Sequence, residues 1–544
     1  MNHESTPAAG FKPYKFNPVT DAYDAIVVGS GIGGLATAAL LAKYGDRKVL
    51  VLERHYTPGG FTHVFHRPGY EWDVGVHYIG QVQPGSMLRS AFDAVGDGRI
   101  QWEDMGDVYD RIVIAGEAYD LPKGRERFRE SMKSRFPGEE AAIDAYLAAV
   151  RDANAAIGPF QASKVLPGPV AAVAGPLMRR RFLGWSDRTT REVLEGFTRN
   201  QRLIAVLTGQ FGDYGLPPGQ SSFVMQAMIA NHYMKGGYYP VGGAGVIVDS
   251  IAPVIERSGG RVLINAEVAG IVVEGGRAVG VKMAADGATL RAPIVVSDAG
   301  VVNTFERLLP RDVAESRGLL KDLGRVRPST AHLCLYVGCR ETAQALQLPR
   351  HNIWVYPHDD HDRSVADGIR DPDAPMPVVF ISFPSAKDPD FERRHPGRAT
   401  VEVIGVAPHA WFDRWRGTRW KKRGADYEAF KARLAQRLLE ALYEQVPQLR
   451  GKVDFHELAT PLTTEHFCNF HQGEIYGVDH TPQRFRQRFL APATPVKGLY
   501  LTGADIVTCG VGGALMGGVL TASAILRRNL VTAIRESAAG AAVG

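Results

Sequence analysis

Residues 24–60 read DAIVVGSGIGGLATAALLAKYGDRKVLVLERHYTPGG, and no other stretch constrains the fold as strongly. Ala25 to Val28 is short, apolar and β-branched, which suits a buried parallel strand. Gly29, Gly31 and Gly34 follow as G-x-G-x-x-G. The first allows a tight turn, the second lets backbone approach a pyrophosphate, and the third lets a helix pack closely on the strand. Leu35 to Lys43 is predicted as that helix, with its positive dipole end on the phosphates. Lys48 to Leu52 is the second strand. Glu53 ends it about 20 positions past the glycines, where a carboxylate can accept both hydroxyls of an adenosine ribose. An acid there repels a 2′-phosphate, which argues against NADP. A lone glycine motif is weak, since glycines make ordinary turns. Strand, glycines, helix, strand and acid in order imply a dinucleotide and leave NAD and FAD open.

The chain has 544 residues, enough for two or three domains. Its net charge of +5 is too mild to argue for nucleic acid, and no groove-docking fold or stacking platform is visible. Four cysteines are too few for a disulfide framework. Cys334 and Cys339 share the strand-like HLCLYVGC on opposite faces, while Cys468 and Cys509 stand alone. No zinc spacing occurs and no metal is expected, so a reduced, cytoplasmic setting is the expectation. The first residues lack the apolar core of a secretory signal, and no run of about 20 residues is apolar enough to span a bilayer.

Further glycine clusters lie far along the chain. Gly59 and Gly60 follow the acid, and YEWDVGVHYIG (70–80) reads as strand with points of close backbone approach. Gly245 precedes an amphipathic helix, and Arg261 to Ile264 is a short strand. Val268 to Val273 and Ala278 to Met283 flank Gly275 and Gly276 as a hairpin. APIVVSDAG adds a buried strand ending near Ser297. Leu499 to Thr502 is another, followed by Gly503, Asp505 and then Gly510, Gly512 and Gly513, which open a last helix.

Taken together, VVGSGIGGLATAALLAKYG, VLERHYTPGGFTHVF, WDVGVHYIG, YYPVGGAGVI, SFPSAKDP, YGVDHTPQRF and LTGADIVTCGVGGALMGG span most of the chain from about residue 22. In that order they resemble the flavin amine oxidase/phytoene desaturase superfamily, and within it are most similar to the retinol saturase and carotenoid isomerase branch. The resemblance implies an α/β fold: a Rossmann-type, two-dinucleotide-binding-domain flavoprotein with an interleaved α+β substrate-binding domain. It implies FAD, with Gly29, Gly31, Gly33 and Gly34 at the pyrophosphate, Glu53 at the adenosine ribose, and Ser30, Ile32 and Arg54 also among the cofactor-binding residues. Gly59 and Gly60 would lie by the phosphates and Val268 by the adenine. Gly503 and Asp505 would hold the ribityl or pyrophosphate side, although Asp505 alone would equally read as a helix N-cap. Gly512 and Gly513 would bring a helix N-terminus to the flavin, where its positive end suits the reduced ring. Many relatives carry Arg after the second glycine pair, whereas this chain has Phe61, so no contact by that Arg is carried over.

The segments expected to build the FAD domain are 22–85, 236–305 and 490–530. The substrate domain takes 86–235 and 306–489, with tails at 1–21 and 531–544. DYEAFKARLAQRLLEALYEQVP spaces Phe430, Leu434, Leu438 and Leu442 as a core-facing helix. Two stretches mix rings and cations: VAAVAGPLMRRRFLGW, and AWFDRWRGTRWKKRG with Trp411, Trp415 and Trp420. Such mixtures suit a bilayer interface, and equally a solvated basic face with a few packed aromatics. The first alternative would make the protein peripheral on the inner face of the membrane.

No metal cluster, nucleophile triad or carboxylate pair stands out, and 16 scattered histidines point nowhere. The flavin would carry hydride transfer. The resemblance places His77 and Tyr78 on its substrate side, as proton handlers or as packing. Tyr238, Tyr239, His471 and His480 are weaker candidates. The expected activity is saturation of a carbon–carbon double bond in a long lipophilic molecule: a retinoid, carotenoid or unsaturated fatty acyl chain. The electron donor or acceptor stays unidentified. The alternatives are a carotenoid cis–trans isomerase or desaturase, and a non-catalytic flavin- or lipid-binding protein.

Overall fold

Ala25–Val28 and Val49–Leu52 are buried on both faces, so neither alternates apolar with polar residues. They pair in parallel at the centre of a six-stranded sheet. Its order is Lys12–Pro13, Arg261–Ile264, Val49–Leu52, Ala25–Val28, Ile294–Ser297, Leu499–Leu501, all parallel. The computed structural model describes residues 10–166 and 168–541. The sheet draws strands from three separated segments and one more from residues assigned by sequence to a flexible tail. Lys12 and Pro13 are paired with Leu263 and Ile264 and are no tail; two residues are too short to signal a strand.

The first helix is Ile32–Gly45, three residues longer at its start than the sequence suggests. Gly31 is its N-cap, so Gly33 and Gly34 sit in the first turn, where glycine's poor helix propensity is tolerated. The helix packs between the sheet and the Gly510–Leu526 helix. The expected C-terminal tail is also structured. Leu530–Ala541 is a helix whose Leu530, Ala533 and Ile534 are buried against that same core.

The hairpin Val268–Glu274/Arg277–Met283 forms with Thr289–Arg291 a three-stranded antiparallel sheet beside the parallel one. A third, seven-stranded sheet runs Val453–Ala459, His332–Cys339, Ala399–Val406, Val379–Ser382, Asn352–Tyr356, Val108–Ile114, Glu117–Pro122. Helices from residues 125–233 cover one end of it, and Ala425–Gln445 packs Tyr427, Leu434, Leu438 and Leu442 inward. Of the stretch 70–80, only Tyr70–Asp73 is strand, paired with Val64–Arg67. The rest crosses between the two large sheets, where Gly80 has no room for a Cβ beneath the carbonyl of His232.

The two ring-and-cation stretches are only partly at the surface. Phe182 is fully buried, its ring stacked 3.7 Å from that of Phe160. Phe412 and Trp415 are buried in the core under the seven-stranded sheet. Those rings are buried by apolar packing, and cations of the same stretches lie over rings of that interior layer: Arg179 over Phe160 and Arg414 over Trp415. The Gly168–Ser186 helix nevertheless leaves Val170, Val173 and Leu177 exposed, the last two at 84% and 74%. Among the described residues no single helix is long and apolar enough to cross a membrane.

Candidate cofactor and substrate site

The parallel strands end on one side of the sheet, and the loops there wall a single cavity of about 1480 Å³. That exceeds the roughly 300–1,000 Å³ of an ordinary ligand pocket, so a dinucleotide leaves space for a second molecule. At its first end, Gly29 turns the chain with φ +98°. Ser30 is fully buried and ties three pieces together. Its N–H and hydroxyl both donate to Glu53 Oε2, at 2.9 and 2.6 Å, and its Oγ accepts from Gly59 N–H at 3.0 Å. The other oxygen of Glu53 accepts from His55 N–H at 2.7 Å. The carboxylate is thus oriented by three protein donors at the cavity edge, with lone pairs to spare for ribose hydroxyls.

Most residues expected at the cofactor do line this cavity: Gly29, Ser30, Gly31, Ile32, Gly33, Glu53, Arg54, Gly59, Gly60, Val268, Asp505, Gly512 and Gly513. Gly34 and Gly503 do not. A Cβ on Gly34 would run into the carbonyl of Gly29, and Gly503 packs on Gly33, so both act through close packing behind the turn. Arg54 lines the cavity while its guanidinium donates to the His466 carbonyl at 3.0 Å. Asp505 accepts from Val301 N–H at 2.8 Å and Val478 N–H at 3.0 Å. It therefore stitches two loops and is no N-cap; the helix beyond starts at Gly510, with Cys509 as its cap. Phe61 also faces the cavity and stacks on Phe470.

These residues fit FAD. The Ile32–Gly45 and Gly510–Leu526 helices both begin without a side-chain cap, and both N-termini face the cavity. Their first turns aim N–H groups at the phosphate at one end and the flavin edge at the other, with the Gly34 N–H already taken by Asp298. One residue of this region is silent in the sequence. Asp298, after the Ile294–Ser297 strand, places its carboxyl beneath the glycine turn, where a Cβ on Gly31 would lie 2.5 Å from Oδ2. Burial pushes Asp298 up to about 8 against hydrogen bonds from the Gly34 and Gly31 backbone, which biases the carboxyl toward its neutral form beside a pyrophosphate.

Beyond the flavin end the cavity opens into a chamber walled by Met225, Met228, Trp354, Phe380, Ile404 and Val406. His77 and Tyr78 both face it. His77 Nδ1 lies 2.7 Å from Glu402 Oε2, and burial lowers the imidazole to about 3, with Lys387 adding repulsion. Burial also raises Glu402, to about 8, so the buried setting opposes charge on both partners of this contact. Lys387, wholly buried, donates to the His77 carbonyl at 2.9 Å and Ser382 Oγ at 2.8 Å, and also to Asn352 Oδ1. Tyr78 stacks on Tyr233 with centroids 4.1 Å apart, and its acidity is suppressed by burial and by nearby Asp110 and Asp213. Neither residue titrates near neutrality here, contrary to what an unperturbed His would do. Of the weaker candidates, Tyr239 donates to buried Asp73, and His480 Nε2 accepts from Cys509 N–H at 3.0 Å. His471 lies by Arg307, and Tyr238 pairs with Asp104 in a short ladder.

Comparison with known proteins gives four matches. The family described as flavin containing amine oxidoreductase matches residues 32–526. An all-trans-retinol 13,14-reductase of Danio rerio is 39% identical over 530 residues, covering 94% of this chain and 87% of its own length. A chloroplastic prolycopene isomerase of Arabidopsis thaliana is 25% identical over 492 residues, covering 88% and 78%. Among solved structures, cyclohexylamine oxidase from Brevibacterium oxydans matches with a TM-score of 0.59 at 16% identity, over 95% of this chain and 99% of that one. At that identity the likeness speaks for the fold alone.

Proposed function

This chain belongs to the flavin containing amine oxidoreductase family and is an FAD-dependent oxidoreductase, and within that family we propose that it saturates a carbon–carbon double bond of a long lipophilic substrate, a retinoid first of all. The observation that carries the reading is the chamber. It continues from the flavin end of the cavity, and its walls are aliphatic and aromatic, with a few buried polar groups gathered at His77, Tyr78 and Asp213. Bound FAD supplies the hydride chemistry. The chain's residues supply the rest. The walls exclude water and align an extended apolar molecule, and the buried carboxyls hold a proton beside it.

The relative that acts on retinol, at 39% identity, favours saturation; the prolycopene isomerase, at 25%, supports isomerisation as the second reading. The test is anaerobic. Reduce the holoenzyme with dithionite, add all-trans-retinol, a poly-cis carotene or an unsaturated fatty acid, and separate the products. Saturation with reoxidised flavin supports the proposal. An isomer with flavin still reduced supports the second reading, and desaturation by oxidised enzyme reverses the direction. No substrate-dependent change in either flavin state would mark a non-catalytic flavoprotein.

The proposal extends to location: a cytoplasmic protein resting on the inner face of the membrane. Val170, Val173 and Leu177 share one exposed helix face, followed by exposed Arg180. Ile157, Gln161, Val165 and Leu166, just before that helix, line the cavity, so a lipid-borne substrate would have a short path inward. Flotation on anionic liposomes tests this. Binding should fall with salt and in Val173→Asp and Arg180→Ser; equal flotation on neutral lipid, or none, counts against it.

A further inference from the structure

Tyr78 holds its phenol oxygen between two carboxyl groups, 2.8 Å from Asp110 Oδ2 and 3.0 Å from Asp213 Oδ2. A phenol has one proton, so it donates to only one of them. The second contact closes only if that carboxyl carries a proton of its own. The surroundings decide which one does. Asp110 accepts from Asn352 Nδ2 at 2.9 Å and from Gln210 Nε2 at 2.7 Å. With two amide donors already aimed at it, Asp110 is the acceptor of the phenolic proton and the anionic end of the chain. The Asp213 carboxyl has Tyr78 as its one hydrogen-bond partner among the described residues. A carboxylate there would face the phenol's lone pairs with no donor; a carboxylic acid would donate to them.

Asp213 is also the member of this cluster that meets the chamber. Asp110 and Gln210 lie behind the wall, whereas Asp213 lines the cavity, and its partial exposure is onto that space. The short Phe211–Asp213 turn is pinned on several sides. Tyr476 O–H donates to the Gly212 carbonyl at 2.8 Å. Cys509 Sγ lies 3.4 Å from the Asp213 carbonyl, which ties the turn to the cap of the flavin-end helix. Gly212 has no space for a Cβ, because Trp354 sits against it.

We propose that Asp213 is the proton donor of this site, kept as a neutral carboxylic acid by the chain Asp213–Tyr78–Asp110, and that Tyr78 is a positioning residue. The proposal rests on the saturation reading above. In that reaction bound reduced FAD would supply the hydride that one alkene carbon receives. The Asp213 O–H bond breaks as a C–H bond forms at the other carbon, leaving Asp213 as carboxylate. Water entering after product release returns the proton. Electrostatics agree with the geometry: burial, and then the nearby charge of Asp110, hold the Asp213 carboxyl well above the ordinary carboxylate range. Asp110 is also raised by burial, to about 7, against the opposing hydrogen bonds from Asn352, Tyr78 and Gln210.

Two measurements test it, one of which needs no turnover. Infrared spectra of the oxidised holoenzyme at neutral pH should show a protonated carboxyl C=O band that shifts in D₂O, vanishes in Asp213→Asn and moves in frequency in Tyr78→Phe. In single turnovers of dithionite-reduced enzyme with retinol, Asp213→Asn should slow saturation by roughly 10²–10⁴-fold, and Asp213→Glu should recover part of the rate. Tyr78→Phe should give a smaller loss. A band unaffected by Asp213→Asn, or wild-type turnover in Asp213→Asn, overturns the proposal and leaves the saturation reading standing. Should wild-type enzyme isomerise retinol without saturating it, the saturation reading falls and the donor role falls with it, whatever the infrared band shows.

Discussion

Glu53→Gln is the most discriminating change at the cofactor end. The substitution is nearly isosteric, and in a ribose-binding acid with free oxygens it would remove little beyond charge. Here both oxygens are already accepting backbone N–H groups, Ser30 on one and His55 on the other. A glutamine amide has one oxygen and one NH₂, so whichever way it flips, an N–H faces an N–H. The unmet donor costs about 1–3 kcal/mol, and the charge assistance of the remaining bonds is lost as well. The apoprotein can relax by letting the Ser30 link to Gly59 open, but FAD must close it again. The penalty therefore surfaces in binding, as a dissociation constant roughly 5- to 150-fold higher. Titration of apoprotein with FAD, followed by flavin fluorescence, measures it. Ser30→Ala should give a smaller loss in the same direction. Affinity within twofold of wild type in Glu53→Gln would refute the argument that this carboxylate anchors both the turn and the ribose.

Denaturing the native protein should release free FAD, since no Cys or His stands in a recognisable flavin-linkage motif; flavin remaining with precipitated protein would show a covalent link. Phe182→Ala should cost about 3–5 kcal/mol in chemical denaturation, as for any fully buried stacked ring, and should leave liposome binding unchanged if the folded fraction is compared. Burial lowers His361 to about 4, with Nε2–H donating to the Ala205 carbonyl at 2.9 Å. Between about pH 6.5 and 4 the unfolded chain binds a proton at this site that the fold does not, so this contribution to stability is lost as pH falls. His361→Gln should flatten the pH dependence of unfolding by up to one proton over that window, and an unchanged slope would show that His361 is protonated in the fold.

The glycine turn was legible in the sequence because its function demands local order: strand, turn, helix and acid lie within 37 consecutive residues of the quoted stretch. Asp298 was not, because an acid after a strand is ordinary until the strand's neighbours are known. The same holds for Asp110, Asp213, Asn352 and Lys387. Each is unremarked alone, and a seven-stranded sheet and a covering turn bring them to Tyr78 and His77. The sequence resemblance pointed to His77 and Tyr78 on the cavity wall and missed Asp213 beside them and Asp110 behind. The ring-and-cation stretches were ambiguous for a different reason. An arginine over a buried ring leaves the same pattern as one over a ring at a lipid surface, and only burial separates Trp415 from Val173.

The parallel sheet also sets a timetable. Thr502 donates to the carbonyl of Gly33 across 469 residues of chain, and the Leu499–Leu501 strand is the edge against which Ile294–Ser297 closes. During synthesis at roughly 5–20 residues per second, the glycine turn therefore waits on the order of 25–95 seconds for the segment that packs behind it. Until then the face of the first helix that meets Gly510–Leu526 has no partner and the flavin end of the cavity is incomplete. Cofactor loading is consequently expected late in synthesis, and the nascent chain must cross that interval with one face of the first helix uncovered. Slow translation near the C-terminus, or scarcity of flavin at that moment, would act on yield of the holoprotein long before it acted on the stability of the finished fold.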